Sequence, residues 1–179
     1  MSGGRAAPVV KGSVTNSLQL GREMDLKDAI RTSYLAHGLT DEQLESLYSL
    51  AEWRSFKAGE EILRQFDESR DMMILASGFA HILTVVGEPI GLIKPGMPMG
   101  EISFLDNKPR SGTVVAQEVC DVVVFSAAPL MELLGSSPDL AVRFLWNISR
   151  VLCSRLRTAN QNLAALMALD ESEFIPSKQ

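Results

Sequence analysis

The sequence predicts an α+β domain: two short helices, a small antiparallel β-sandwich or roll, and a long terminal helix. Three observations predict it. Apolar residues at helical spacing occupy 25–50, short β-rich stretches alternate with turn-makers over 52–126, and helical spacing returns over 129–169. The 179 residues suit one ordinary domain with flanking helices. A hydrophobic content of 46% against 22% charge supplies a core and excludes global disorder.

Residues 1–22 are small, polar and Gly-rich and are expected as a mobile N-terminal arm. Over residues 23–169 the folded domain follows. Leu26, Ile30 and Tyr34 share one helical face, with Gly38 where a C-cap belongs. Thr40 and Gln43 form a T-x-x-Q capping box ahead of Leu44, Leu47 and Leu50. The β texture runs through EWRSF, EEILR, MMILA, FAHILTVV, SGTVVAQE and VCDVVVFS. Turn-makers separate these stretches at Lys57-Ala58-Gly59, Ser77-Gly78, Gly87-Glu88-Pro89, Pro95-Gly96 and Asn107-Lys108-Pro109. One piece, GEISFL, reads instead as a short helix. Pro129 to Gly135 forms another, and Pro138 opens a long helix to about Ala168. Along it Leu145, Ile148, Leu152, Leu156, Ala159, Leu163 and Leu166 make a narrow seam, followed by a polar tail at 170–179.

Composition narrows the function. Apolar runs break well short of the ~18 residues a membrane span needs, and the start has no apolar signal region, so a cytoplasmic location is expected. A net charge of −5 argues against nucleic acid. Cys120 and Cys153 make neither a disulfide framework nor a zinc site, and His37 and His81 stand alone, so no metal is expected. There is no Walker motif and no catalytic triad order, which argues against an enzyme.

The informative stretch is Gly100-Glu101-Ile102-Ser103-Phe104-Leu105 running on to Arg110-Ser111-Gly112-Thr113-Val114. A glycine lets the backbone approach a ligand. A helix beginning there turns unpaired N–H groups toward an anion. An arginine before a strand suits a two-pronged phosphate contact, and the glutamate suits a sugar hydroxyl. Together these say sugar plus phosphate. The plainer alternative is a surface turn in which Glu101 and Arg110 merely pair with each other.

The run GEISFLDNKPRSGTVVA resembles the phosphate-binding cassette of cyclic-nucleotide-binding domains, including the Glu101-to-Arg110 spacing. Gly59, Ser77-Gly78 and Pro95-Gly96 match the family context, and the likeness covers about Leu39 to Leu169. It implies an antiparallel β-roll (a double-stranded jelly-roll) flanked by N-terminal helices and a long C-terminal helix. It also implies that Glu101 accepts the ribose 2′-OH and Arg110 pairs with the cyclic phosphate. Gly100, the N–H groups of Ile102 and Ser103, and Ser111 complete the cradle. Asn160, by its place on the long helix, would lie over the purine. Gln65-Phe66-Asp67 departs from the family's glycine-containing turn.

The resemblance makes the chain a stand-alone receptor domain for cAMP, with cGMP left open because Ser111 serves either. It would signal through its terminal helix to a protein partner; Leu145 to Leu152 of the seam are expected against the chain's own roll, and beyond Leu156 the seam either pairs in a homodimer or folds back on the roll. Only about ten residues follow Leu169, too few for a helix-turn-helix, so no DNA binding is expected. The alternative is a ligand-independent dimerisation or docking module built on the same fold.

Overall fold

The computed structural model describes residues 25–173; the expected N-terminal arm and the end of the tail lie outside them. Helix α1 (25–31) is followed by a 3-10 turn at Tyr34–Ala36 and by α2 (Asp41–Tyr48). The hydroxyls of Thr32 and Ser33 donate to the carbonyls of Asp28 and Ile30, which ends α1 before Tyr34 can join its face. The Thr40–Gln43 capping box is complete, each side chain bonding the other residue's N–H.

Eight strands follow: β1 (Ala51–Phe56), β2 (Glu61–Leu63), β3 (Met72–Ser77), β4 (Ala80–Leu83), β5 (Pro89–Ile93), β6 (Pro98–Met99), β7 (Thr113–Ala116) and β8 (Cys120–Phe125). They form two antiparallel sheets, ordered β1-β8-β3-β6 and β2-β7-β4-β5. Helix α3 (Glu101–Asp106) interrupts the strands between β6 and β7. Helices α4 (Ala127–Ser136) and α5 (Pro138–Glu173) close the chain, so α5 continues into the stretch expected as a tail.

The unbroken apolar runs of β3 and β8 explain why those strands lie in the middle of their sheet. A strand alternates its side chains, so a sheet buried on both faces needs apolar residues at every position. Met73, Leu75, Val122 and Val124 face the other sheet, beside Leu63, Ile93 and Val114. Met72, Ile74, Val123 and Phe125 face the helices, packing with Ile30, Leu47, Leu130, Phe144 and Ile148. One sheet thus carries two cores, one inside the roll and one beneath the helices.

The buried stripe of α5 is Leu140, Phe144, Asn147, Ile148 and Val151. This corrects the expected seam: Leu145 is 41% exposed and flanks the stripe instead of belonging to it. Asn147 is a polar anchor in that stripe. Its amide donates to the carbonyls of Leu35 (2.8 Å) and His37 (2.9 Å), fastening α5 to the 3-10 turn.

Candidate functional site

Strand β6 and helix α3 meet at Gly100, which has φ +80°. A Cβ there would lie 2.5 Å from Arg110 Nη1 and 2.7 Å from the Asp71 carbonyl. Glycine is required twice over, by the left-handed backbone and by the guanidinium pressed against it. The first intrahelical bond of α3 runs from Phe104 N–H to Gly100 O, so the N–H groups of Ile102 and Ser103 stand outside the helix ladder.

Arg110 is 2% exposed. Its Nε donates to Ser69 Oγ (3.2 Å), Nη1 to Gly100 O (3.0 Å) and Nη2 to Asp71 O (2.8 Å). All three acceptors are neutral. Burial pulls the guanidinium pKa down, while Asp71, Asp67 and Glu101 act in the opposite sense from a distance. A buried cation held by neutral oxygens is electrostatically unfinished: an anion brought to it would be bound in a low-dielectric site by preset donors.

Glu101 is 1% exposed and does not pair with Arg110. The surface-turn alternative fails on both counts. The partner of Glu101 is Arg155 of α5, which donates Nη1 to Glu101 Oε1 and Nη2 to the Pro98 carbonyl. Sequence reading missed Arg155 as a site residue. Its signal was its phase, since it falls two helical turns after buried Ile148 and puts a cation on the stripe that faces the roll.

These residues enclose a cavity of about 130 Å³ between Gly100–Ser103, Arg110–Gly112, the roll side chains Leu63 and Ile82, and Arg155. Six of the seven residues expected at the site are brought together here: Gly100, Glu101, Ile102, Ser103, Arg110 and Ser111. The seventh, Asn160, is exposed, stands five residues beyond Arg155 and does not line the cavity. Five residues advance an α-helix by about 500°, which turns Asn160 well away from the Arg155 face. A second cavity of about 300 Å³ lies between α5 and the 3-10 turn and shares Arg155 with the first. Among the described residues no group of three or more His, Cys, Asp or Glu is placed to hold a metal ion, and no helix is long and apolar enough to cross a membrane.

The turn Gln65-Phe66-Asp67 keeps the shape a glycine would give it. Phe66 has φ +69°, its N–H donates to Arg110 O (3.0 Å), and Arg110 N–H donates to Asp67 O (2.8 Å). The ring is 72% exposed, so packing returns little for the strain. A left-handed bulky residue costs about 1–2 kcal/mol, against roughly 0.5–1 kcal/mol for the extra chain entropy of glycine. Phe66→Gly is therefore expected to stabilise the protein by about 0.5–1 kcal/mol, read as a melting temperature raised by roughly 1–4 °C. A drop would mean that the exposed ring makes a contact worth more than the strain.

A family model described as a cyclic nucleotide-binding domain matches residues 53–137. The chain is 29% identical over 141 residues to a cyclic AMP receptor protein of Thermus thermophilus, covering 76% of this chain and 63% of that one. It is 27% identical to a cAMP-dependent protein kinase regulatory subunit of Yarrowia lipolytica, covering 65% of this chain and 31% of the other. Among solved structures, a cyclic nucleotide-binding domain from Methylobacillus flagellatus superposes with a TM-score of 0.70 at 21% identity, covering 81% of this chain and 84% of that one. The chain thus spans under two thirds of the length of the first two relatives.

Proposed function

The chain belongs to the cyclic-nucleotide-binding domain family, and from that premise we propose that it is a non-enzymatic receptor for a cyclic nucleotide, cAMP before cGMP. The observation that carries the reading is the buried Arg110 guanidinium, held in place by Gly100, Ser69 and Asp71 with no carboxylate bonded to it. A cyclic phosphate supplies the missing negative charge. Ser103 and Ile102 offer N–H groups at the start of α3, and Ser111 borders the same cavity. Glu101 offers its carboxylate to the ribose 2′-OH.

Signalling follows from size and from Arg155. A cavity of about 130 Å³ is below the ~300–1,000 Å³ usual for small-molecule sites. A nucleotide therefore needs the site to widen, and Arg155 is the α5 side chain across it. Ribose and Arg155 share one acceptor in Glu101, so ligand entry re-weights the postures of α5 by its difference in affinity for them. The readout is an altered α5 presented to a protein partner in the cytoplasm, with the receptor working as a homodimer. No role in DNA binding is assigned to this segment.

The test is calorimetric titration with cAMP, cGMP and 2′-deoxy-cAMP. A hydrogen bond to a charged acceptor contributes about 1.5–3 kcal/mol, so the deoxy compound is expected to bind roughly 10- to 150-fold more weakly than cAMP. In Glu101→Gln that gap should narrow. Absence of heat with either ribonucleotide, under conditions where the protein is folded, would return the fold to the ligand-independent docking alternative.

A further inference from the structure

The receptor reading leaves the second cavity, of about 300 Å³ between α5 and the 3-10 turn, without a task. Its α5 wall includes Asn147, Arg150, Val151 and Arg155, at i, i+3, i+4 and i+8, the spacing of one helical face. Tyr34 and Met97 stand across from them, and no carboxylate lines the space. Three kinds of group therefore meet there. Tyr34, Met97 and Val151 offer apolar surface. Arg150 is a cation that forms no ion pair among the described residues. Arg155 has spent Nη1 and Nη2 on Glu101 and Pro98, which leaves its Nε uncommitted.

The third kind is an acceptor. Asn147 is 4% exposed, and both protons of its amide nitrogen go to the carbonyls of Leu35 and His37. Its Oδ1 is the polar atom left over, and it accepts no hydrogen bond among the described residues. An acceptor so placed favours a ligand that brings an N–H or O–H to it. Beside two guanidiniums that donor has to be neutral, because an ammonium would be repelled. The cavity thus asks for a carboxylate, a neutral donor and an apolar body in one small molecule.

We infer that this cavity is a second ligand site, built for a small N-acyl amino acid, and that its occupancy tunes the nucleotide site through Arg155. The carboxylate goes to Arg150 and Arg155, the amide N–H to Asn147 Oδ1, and the apolar body lies against Tyr34, Met97 and Val151. A volume at the low end of small-molecule pockets admits such a compound and excludes a folded segment of a partner. Arg155 is the wall common to both cavities. A carboxylate on the α5 side gives it another acceptor and eases its release of Glu101 to the ribose. The tuning rests on the proposed receptor function; the site itself does not.

The probe is hippurate (N-benzoylglycine), titrated calorimetrically into the full chain. It should bind saturably with a Kd of about a millimolar or below, as suits a ligand of this size. Two analogues dissect the contacts. Methyl hippurate, which lacks the negative charge, should bind at least tenfold more weakly. Benzoyloxyacetate, with oxygen in place of the amide N–H, should lose roughly three- to tenfold. Arg150→Gln should abolish the preference for hippurate over its methyl ester, and Tyr34→Ala should weaken hippurate several-fold. Both side chains are exposed or partly so, and both variants should bind cAMP within twofold of the parent. Saturating hippurate should tighten cAMP at least threefold, and cAMP should tighten hippurate by the same factor. Absence of saturable hippurate binding overturns the site, and so does unchanged binding in both variants. Mutual exclusion of hippurate and cAMP overturns it as well, because the probe would then occupy the nucleotide's own cavity. Independent binding of the two overturns the tuning. If hippurate binds and no nucleotide does, the receptor reading falls and the site stands.

Discussion

Replacing Arg110 with Ala should weaken cAMP binding by about 2–5 kcal/mol, the usual loss when one partner of a desolvated charge pair is removed. That is roughly 30-fold to several thousand-fold in Kd. The structure sharpens what should happen without ligand. Losing the side chain takes the guanidinium donor from the Asp71 carbonyl and leaves the Gly100 carbonyl with Phe104 N–H alone, but it also removes a buried charge whose hydrogen-bond acceptors are all neutral. The two effects oppose each other, so the ligand-free melting temperature should move by only a few degrees. In the parent, cAMP at a hundred times its Kd should stabilise the fold by about 2.7 kcal/mol, a shift of roughly 5–11 °C. The variant should show almost none of it. A variant that kept the full shift would place the phosphate elsewhere.

Gly100→Ala should do what Arg110→Ala does and damage the fold as well. Its Cβ would meet Arg110 Nη1 at 2.5 Å and the Asp71 carbonyl at 2.7 Å, on a backbone at φ +80°. Left-handed strain costs about 1–2 kcal/mol, and forcing a methyl into a filled space costs about 1–3 kcal/mol. A loss near 3 kcal/mol lowers the melting temperature by roughly 6–12 °C. Thermal denaturation and titration on the same sample separate the two variants, one stable and blind to ligand, the other unstable and blind. An alanine variant that binds cAMP like the parent would show that the guanidinium does not need this seat.

The contrast between what was legible in the sequence and what was not follows the length of the connections. The cassette from Gly100 to Val114 is contiguous, and its turn, short helix and arginine each follow local rules, so its residues converge as expected. The strands were legible for the same reason, since β3 and β8 announce their double burial in unbroken apolar runs. Arg155 was not, because its partner Glu101 is 54 residues away and nothing near either residue encodes that distance. The first half of the α5 seam was misplaced because leucine was followed without regard to phase, whereas Leu156 and Leu163 stand clear of the roll as expected. Leu145 and Leu152 flank the buried stripe, Ile148 lies within it, and Leu156 and Leu163 lie on the far side. The outward face is punctuated by Ser149, Cys153 and Asn160, which an apolar reading skips. Only the fold shows which side of the helix the roll has already claimed.

One small contact also has a thermodynamic reach. Asp71 accepts the Arg110 guanidinium with its carbonyl and, with its carboxylate, accepts the N–H of Ala127 (3.0 Å), the first residue of α4. No side chain of α4's own N-cap performs that task. The seat of the anion and the start of the terminal helices are therefore separated by a single residue's bonds. Linkage makes such a joint work in both directions: whatever factor an anion at Arg110 applies to the equilibrium position of α4, a macromolecule that holds α4 there applies equally to the anion's affinity. Measured on the chain by itself, a dissociation constant then describes one end of a lever whose other end is left free.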